Sequence, residues 1–242
     1  MKKANPNNVL IVGATSGIAR QVAQVYARRG ATLTLAGRDR RALEQDVADL
    51  QVRHEAQVEV VVFDALSPTP DWLEGMKVDV AVLCHGMMLD NDSARADPDA
   101  HRKMIETNYT SYALLLERLA DQMGERGGGV IAALSSVAGD RGRGSNYCYG
   151  ATKAALSAYA DGLRGRLFGS GVHVVTIKPG PTATAMTRGM DQRKMADPKR
   201  VAKQIVHAID KRKDVVYSPG KWRLIMAVIR MIPERLFKRL SI

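Results

Sequence analysis

Three side chains with the chemistry for proton transfer lie close together in the second half of the chain. Tyr149 and Lys153 are four residues apart at the start of a helical stretch of small residues, and Ser136 precedes them at the end of an apolar strand. This spacing places the phenol and the ammonium on one helix face, where we expect Lys153 to lower the pKa of Tyr149 below ~10. Such a tyrosine could exchange a proton with a carbonyl or an alcohol while Ser136 holds the same oxygen. A surface tyrosine and lysine on an ordinary helix would have the same spacing, so the interpretation depends on the rest of the chain.

The N-terminal part of the chain has the pattern of a phosphate-binding turn. Val9 to Val12 predicts a buried strand, the segment Gly13 to Gly17 follows it at once, and apolar residues at helical spacing come next. Gly13 permits a tight turn, Gly17 lets a pyrophosphate approach the backbone, and the N–H groups at the helix start attract the anion. The pattern therefore predicts a dinucleotide site. Its expected members here are Gly13, Thr15, Ser16, Gly17 and Ile18.

Strand and helix patterns alternate along the whole chain. This alternation predicts the α/β class, a Rossmann-type doubly wound fold in which a seven-stranded parallel sheet has helices on both faces. The length and the 45% apolar content fit one dinucleotide-binding domain over residues 1–242. The predicted strands are Val9 to Val12, Thr32 to Ala36, Val58 to Phe63, Val78 to Leu83, Val130 to Leu134, Val172 to Ile177 and Val215 to Tyr217.

Together these motifs resemble the classical short-chain dehydrogenase/reductase family, and the resemblance covers nearly all 242 residues. The glycine segment is similar to the family pattern T-G-x-x-x-G-x-G, with Val12 in place of the threonine and Ala19 in place of the last glycine. The resemblance implies a catalytic tetrad of Asn108, Ser136, Tyr149 and Lys153. It also implies cofactor contacts from Asp64, Ala65, Gly86, Tyr149, Lys153, Pro179, Gly180, Thr182 and Thr184. Leu83-Cys84-His85-Gly86 departs from the usual Asn-Asn-Ala-Gly, so only Gly86 is kept.

The end of the second predicted strand indicates which cofactor is used. Gly37-Arg38 stands where an NAD-preferring enzyme usually has an acid for the ribose 2′-OH. Arg38 could instead bind a 2′-phosphate and stack on adenine. A solvated arginine in a charged loop is the alternative, and the neighbouring Asp39 favours it. We predict NADP(H) as the preferred cofactor, with NAD(H) as the second choice.

The family resemblance implies an oxidoreductase that interconverts a ketone and a secondary alcohol. Two alternatives stay open: a reductase of 3-oxoacyl thioesters, and a dinucleotide-binding sensor or scaffold without catalysis. Apolar stripes on two predicted helices also leave two interpretations, pairing across a homodimer or homotetramer interface or packing on the sheet. These stripes are Tyr112, Leu115, Leu116 and Leu119, and Leu156, Tyr159, Leu163 and Leu167.

The net charge of +11 is concentrated in two segments. Residues 220–242 contain six basic residues and one acid, and residues 185–200 contain five basic residues and two acids. The first segment is also amphipathic, and its apolar run is too short to span a bilayer. It could dock on an anionic membrane with Trp222 and Phe237 at the interface, pack on the core or a subunit, or bind a partner.

Several classes are excluded or disfavoured by composition. Nucleic-acid binding is disfavoured because no groove-reading module is visible. No metal site is predicted, since His85 and His101 lack partner ligands at useful spacing. Met1 to Asn8 lacks the apolar run that a signal peptide needs. Cys84 and Cys148 are not spaced like metal ligands. We therefore expect a cytoplasmic protein, with the inner face of the membrane as a second location.

Two segments resemble one branch of the family in more detail. Residues 138–149 and 230–242 are similar to the keto-reductase branch that acts in decaprenyl-phosphoryl-ribose epimerisation. The resemblance implies a lipid-linked keto-sugar phosphate as the substrate class. Arg141, Arg143 and the cations near Arg188 would then meet the phosphate.

Overall fold

A computed structural model describes residues 7–66 and 71–240 of the chain. Its centre is one sheet of seven parallel strands, as predicted. The strands are β1 (Asn8–Val12), β2 (Thr32–Gly37), β3 (Val58–Val62), β4 (Val80–Leu83), β5 (Gly129–Leu134), β6 (Val172–Pro179) and β7 (Val215–Ser218). They lie in the order β3-β2-β1-β4-β5-β6-β7. β4 begins two residues later than predicted, where the Asp79 carboxylate accepts the backbone N–H of Asn8 at 2.9 Å.

Nine α-helices lie within the described residues. They are α1 (Gly17–Ala27), α2 (Arg40–His54), α3 (Asn91–Ala96), α4 (Pro98–Ile105), α5 (Ser111–Glu125), α6 (Tyr147–Arg166), α7 (Pro198–Asp210), α8 (Lys221–Met231) and α9 (Glu234–Phe237). One π-helical turn, Glu106–Thr110, joins α4 to α5. The start of α7 has Asp197 at the N-cap and Pro198 in the first turn, both of which are typical of helix starts.

Alternate residues of the strands build two cores, one on each face of the sheet. In β1, Val9 and Ile11 join the core under α1, α2 and α7, whereas Leu10 and Val12 join the core under α5 and α6. The two predicted apolar stripes lie in this second core. Seven of their eight residues are buried there and Tyr159 is packed against it, so within one protomer they cover the sheet. Packing on the sheet therefore accounts for the stripes.

The strand order positions the site. The strand order reverses between the neighbouring strands β1 and β4. The chain leaves the carboxyl ends of these two strands toward opposite faces of the sheet, and this opens a crevice there. The glycine turn follows β1, the residues around Gly86 follow β4, and Ser136 follows β5. The segment Pro179 to Thr184 continues from β6. Parallel strands thus bring residues from distant parts of the chain to one edge.

Candidate active site

The glycine turn after β1 has the geometry of an anion cradle. Gly13 has a φ of +72°, and a Cβ there would lie 2.5 Å from the backbone nitrogen of His85. Only glycine fits both restraints. Ser16 caps α1, with its Oγ accepting the N–H of Ala19 at 3.3 Å. The first N–H groups of the helix have no intrahelical partner, and Gly17 and Ile18 line the cleft in front of them. These residues therefore fit a bound pyrophosphate.

A cleft of about 710 Å³ extends from this turn across the carboxyl edge of the sheet. Its volume is in the usual range for small-molecule sites. The structure places most of the predicted site residues in its wall. These are Thr15, Ser16, Gly17, Ile18, Gly86, Ser136, Tyr149, Lys153, Pro179, Gly180, Thr182 and Thr184.

Five predicted residues lie outside that wall, namely Gly13, Arg38, Asp64, Ala65 and Asn108. Arg38 and Asp64 follow neighbouring strands, whose ends are held together by the N–H of Phe63 donating to the carbonyl of Gly37 at 2.9 Å. They therefore share the edge beside the glycine turn. Asp39 is engaged elsewhere, because its carboxylate accepts the N–H of Ala42 at 3.0 Å and caps α2. Arg38 is exposed and makes no side-chain hydrogen bond or ion pair within the described residues.

Tyr149 is buried in the first turn of α6 and lines the cleft together with Ser136. Burial raises the pKa of Tyr149 to about 12, and the interaction of its hydroxyl with the Ser136 side chain opposes this only in part. The predicted lowering of this pKa by Lys153 is wrong for the protein alone. The Lys153 Nζ lies 5.9 Å from the centre of the Tyr149 ring, and the loss of solvation outweighs its attraction for phenolate.

Lys153 is a buried cation without a carboxylate partner among the described residues. Lys153 is 3% exposed, and its Nζ donates to the carbonyl of Leu134 at 3.0 Å. Burial lowers its pKa to about 8, and the Cys84 thiol opposes this shift. The Lys153 carbonyl accepts the Ser135 hydroxyl at 2.9 Å, which ties α6 to the end of β5.

Asn108 lies in the π-helical turn, fully buried beside Gly86. Its Oδ1 accepts the N–H of Met87 at 2.8 Å, and its Nδ2 donates to the Met87 carbonyl and to Thr152 Oγ1. A Cβ at Gly86 would lie 3.1 Å from Asn108 Oδ1 and 3.6 Å from Lys153 Nζ. Gly86 thus lies between Asn108 and Lys153, and because it has no Cβ the space between these two side chains stays open. Such π turns occur often at functional sites.

The segment Leu83 to Gly86 lacks the family's usual asparagines, and other side chains contact its backbone instead. The Tyr112 hydroxyl lies 3.1 Å from the carbonyl of Leu83 and 2.7 Å from that of His85. The His85 ring stacks on the Tyr112 ring at 4.0 Å, and its Nε2 lies 2.8 Å from Ser111 Oγ. Because Ser111 donates its own proton to the Thr107 carbonyl, Nε2 is the donor to Ser111. Burial lowers the pKa of His85 to about 3, so the ring is neutral.

Comparison with known proteins agrees with this geometry. Residues 7–195 match the family described as short chain dehydrogenase. An uncharacterised oxidoreductase of Streptomyces coelicolor is 34% identical over 98% of this chain and 97% of its own length. The chain belongs to the short-chain dehydrogenase/reductase family of oxidoreductases. An uncharacterised oxidoreductase of Mycobacterium tuberculosis is also 34% identical, over 96% of each chain. A short-chain dehydrogenase from Sphingobium yanoikuyae, solved in complex with NADPH, aligns with a TM-score of 0.82 at 25% identity and covers 94% of this chain and 96% of its own.

The basic C-terminal segment of this short-chain dehydrogenase packs beside the active site. Trp222 of α8 lies against Gly180, where a Cβ would collide with the indole. Met226 and Phe237 are buried. Trp222 is half-buried and Phe237 is buried, so both pack within the protein, as the second of the three expected uses requires, and membrane contact of the segment stays a prediction. The last two residues of the predicted segment, Ser241 and Ile242, lie outside the described residues.

Arg141 fastens this segment to the loop between β5 and α6. Its Nη1 donates to the carbonyls of Ile229 and Ile232, both at 2.6 Å, and its Nη2 to Glu234 at 3.0 Å. Its guanidinium carbon also lies 3.6 Å from the centre of the Phe237 ring. The expectation that Arg141 meets a substrate phosphate is thus wrong. The cation instead satisfies carbonyls at the end of α8, where the helix dipole is negative.

Sequence reasoning missed several residues of the cleft. Met87, Met88, Met186 and Met190 line it, together with Ser145 and Asn146. Methionine has no motif of its own, and these four come from two segments that only the fold brings together.

The described residues contain no helix with the length and apolar character needed to span a bilayer.

Proposed function

We propose that this protein is an NADP(H)-dependent oxidoreductase that interconverts a ketone and a secondary alcohol. One observation carries the proposal: Tyr149 and Ser136 line the same cleft as Lys153 and the N-terminus of α1. A proton donor, an oxygen-binding hydroxyl and an anion cradle are the protein parts that this reaction needs. The cofactor supplies the hydride.

Each residue of the tetrad has a distinct role in this proposal. Ser136 binds the substrate oxygen, and Tyr149 donates the proton to it during reduction. Lys153 holds the nicotinamide ribose and, with its charge, favours the tyrosinate that this step leaves behind. Asn108 keeps the backbone beside Gly86 in place, and its two bonds to the backbone of Met87 support this role. It also holds a water that passes protons from Lys153.

The cofactor contacts fall into three groups in this proposal. Gly13 to Ile18 hold the pyrophosphate, and Gly86 and Lys153 face the riboses. The segment Pro179 to Thr184 lies beside the nicotinamide. Asp64, Ala65 and Arg38 hold the adenosine, next to the wall of the cleft. The NADPH complex of the similar Sphingobium yanoikuyae dehydrogenase supports NADP(H) as the cofactor.

Replacing Arg38 by alanine should raise the KM for NADPH roughly 10-fold to 100-fold and leave that for NADH nearly unchanged. The exposed guanidinium has no competing partner within the described residues, and a charge-assisted bond to the 2′-phosphate contributes about 1.5–3 kcal/mol. Steady-state kinetics with both cofactors measure this. Arg40→Ala on α2 is the matched control. An unchanged NADPH KM in Arg38→Ala would remove the basis for the NADP(H) preference.

The substrate class in this proposal is an amphiphilic ketone, in particular a polyprenyl-phosphate-linked keto-sugar. Four methionines in the wall provide an adaptable apolar surface, and Arg143 provides a cation beside it. A 3-oxoacyl thioester, or a sensor role without catalysis, is the alternative. Purified protein should be offered simple ketones, 3-oxoacyl thioesters and a keto-sugar lipid phosphate with each cofactor. Turnover of thioesters alone would identify a fatty-acid-type reductase.

The outward face of α8 supports a membrane-facing role. Leu224, Val228 and Met231 form one helical stripe and are 73%, 51% and 73% exposed, while Trp222 and Met226 face inward. The six cations of residues 220–240 are all exposed. We propose that this face contacts an anionic leaflet at the inner side of the membrane. A homodimer or homotetramer stays a prediction from the family resemblance.

The full-length protein should bind phosphatidylglycerol liposomes at low salt and lose much of this binding as salt rises. Each Lys or Arg near an anionic surface contributes ~1 kcal/mol, and residues 220–242 carry a net +5. Replacing Leu224, Val228 and Met231 together by glutamine should weaken sedimentation with liposomes without changing the fold. Val52→Gln, at another exposed apolar position, is the control. If the wild-type protein does not sediment with these liposomes, the exposed stripe binds a different partner and the membrane proposal fails.

A further inference from the structure

A buried ion pair outside the cleft links the loop after β5 to the ends of β6 and β7. Lys178 Nζ donates to Asp140 Oδ1 at 2.6 Å, and the side chains of Lys178 and Asp140 are 12% and 1% exposed. The Tyr217 hydroxyl donates to the other carboxylate oxygen, Oδ2, at 2.7 Å. Burial, and then the Asp140 carboxylate, raise the pKa of Tyr217 to about 12, so this hydroxyl keeps its proton. These three side chains are not among the described residues that line the cleft.

Asp140 ends the short turn that begins at Ser136. The N–H of Asp140 donates to the carbonyl of Val137 at 3.2 Å, and that of Gly139 donates to the carbonyl of Ser136 at 3.1 Å. The turn also lies directly on α6, because a Cβ at Gly139 would come within 2.6 Å of the carbonyl carbon of Lys153. A displacement of Asp140 therefore reaches Ser136 through a short, hydrogen-bonded segment.

Lys178 lies directly before the segment that we place beside the nicotinamide. In β6 it pairs with Tyr217 of β7, and Pro179 and Gly180 follow it and line the cleft. The carboxylate that holds both side chains thus joins the turn of Ser136 to the strand that leads into this segment. The ion pair sets the spacing between the hydroxyl that binds the substrate oxygen and the segment beside the nicotinamide.

Position is a better explanation of this ion pair than stability. A buried ion pair often stabilises a fold less than apolar side chains of the same volume would, since both ions lose their water. A carboxylate that accepts two directed bonds does restrict where its backbone can lie. Such a restraint matters for catalysis, because a misplacement of reacting groups by about 1 Å can lower a rate about 10²-fold.

We propose that Asp140 is a positioning residue for ketone reduction. Through Lys178 and Tyr217 it holds Ser136 at the distance from the segment beside the nicotinamide that hydride transfer needs. This inference rests on the proposed function and adds to it a residue that touches neither substrate nor cofactor.

Replacing Asp140 by asparagine tests the proposal in kinetics with NADPH and a simple ketone. The amide keeps the shape of the side chain but loses the charge that holds Lys178, so kcat per NADPH-binding site should fall roughly 10-fold to 100-fold. The Kd for NADPH, from fluorescence titration, should stay nearly unchanged because the pyrophosphate turn belongs to another segment. Asp92→Asn, in an exposed ion pair with Arg95, is the matched control and should keep the wild-type kcat. A wild-type kcat in Asp140→Asn would overturn the proposal.

Tyr217→Phe is the milder variant, because it removes one of the two bonds to Asp140 and leaves the ion pair in place. Its kcat should fall roughly 3-fold to 10-fold, the effect of one hydrogen bond, while the Kd for NADPH stays the same. If Asp140→Asn does not fold, this variant decides. A folded Tyr217→Phe protein with the wild-type kcat would then contradict the positioning role.

The emission of Trp222 gives a test that needs no turnover. Its indole lies against Gly180, so its emission reports on the segment into which Lys178 leads. In a Trp72→Phe background, which leaves Trp222 as the remaining tryptophan, Asp140→Asn should shift the emission to longer wavelength. The shift is expected because a displaced segment lets water reach the half-buried indole. If the wild-type protein reduces no ketone, the proposed function fails, and this spectrum alone decides whether Asp140 holds the segment. An unchanged spectrum would show that it does not.

Discussion

Replacing Tyr149 by phenylalanine should lower kcat for ketone reduction roughly 10²-fold to 10⁴-fold, the usual contribution of a positioned proton donor. The hydroxyl is buried, and its pKa of about 12 keeps it protonated and ready to donate at neutral pH. The ring itself stays, so the fold and the affinity for NADPH should change little. Stopped-flow or steady-state measurements of NADPH absorbance, with fluorescence titration of NADPH binding, separate the two effects.

Tyr147 provides a matched control in the same helix turn. It is exposed and lies two residues before Tyr149, and its side chain makes no hydrogen bond within the part of the chain that the structure describes. Tyr147→Phe should therefore keep full activity. If Tyr149→Phe reduces ketones as fast as wild type, Tyr149 is not the proton donor. A chain that binds NADPH but turns over no carbonyl would instead be the dinucleotide sensor.

Lys153→Met should lower kcat/KM roughly 10²-fold or more and at the same time raise the melting temperature by several degrees. A methionine of similar length keeps the packing, whereas the ammonium is carried at a cost because burial lowers its pKa to about 8 from ~10.4 in an unfolded chain. Removing that cost should stabilise the fold by roughly 1–3 kcal/mol. Calorimetry and cofactor kinetics on the same sample measure both changes.

The pH dependence of this stability gain follows from the sign of the shift. Below pH ~8 both the folded and the unfolded wild type hold the proton on Lys153, and the full cost is present. Between pH ~8 and ~10.4 only the unfolded wild type holds it, so wild-type stability rises and the advantage of Lys153→Met shrinks. Lys203→Met, at an exposed position of α7, should change neither quantity. A melting temperature that falls in Lys153→Met would show that the buried charge stabilises the fold.

The fold could be predicted from local sequence because its signals are local. Apolar runs such as Val9 to Val12 predict strands, and Asp197-Pro198 predicts the start of α7. The alternation of strands and helices then leaves few topologies. The lining of the cleft by Ser136, Tyr149 and Lys153 could be foreseen for the same reason, since the spacing within one strand, loop and helix fixes it.

Electrostatics and the C-terminal segment could not be predicted in this way. The pKa of Tyr149 depends on how much water the fold removes, and that depends on every element around the cleft. The contacts of Arg141 with Ile229 and Ile232 join residues that are far apart in the chain. The stacking of His85 on Tyr112 is likewise invisible in the sequence, because the usual motif for that strand end is absent. Composition indicated an amphipathic tail, but only the packing shows which of its faces is used.

The proposed reduction is tested most directly by transfer of deuterium from nicotinamide-deuterated NADPH to a ketone. We predict that mass spectrometry finds the label on the carbinol carbon of the alcohol formed by wild-type protein. Tyr149→Phe should bind NADPH equally well but yield roughly 10²-fold less labelled product or even less. NADPH binding by wild-type protein with no label in the product of any ketone or lipid-linked keto-sugar would contradict it.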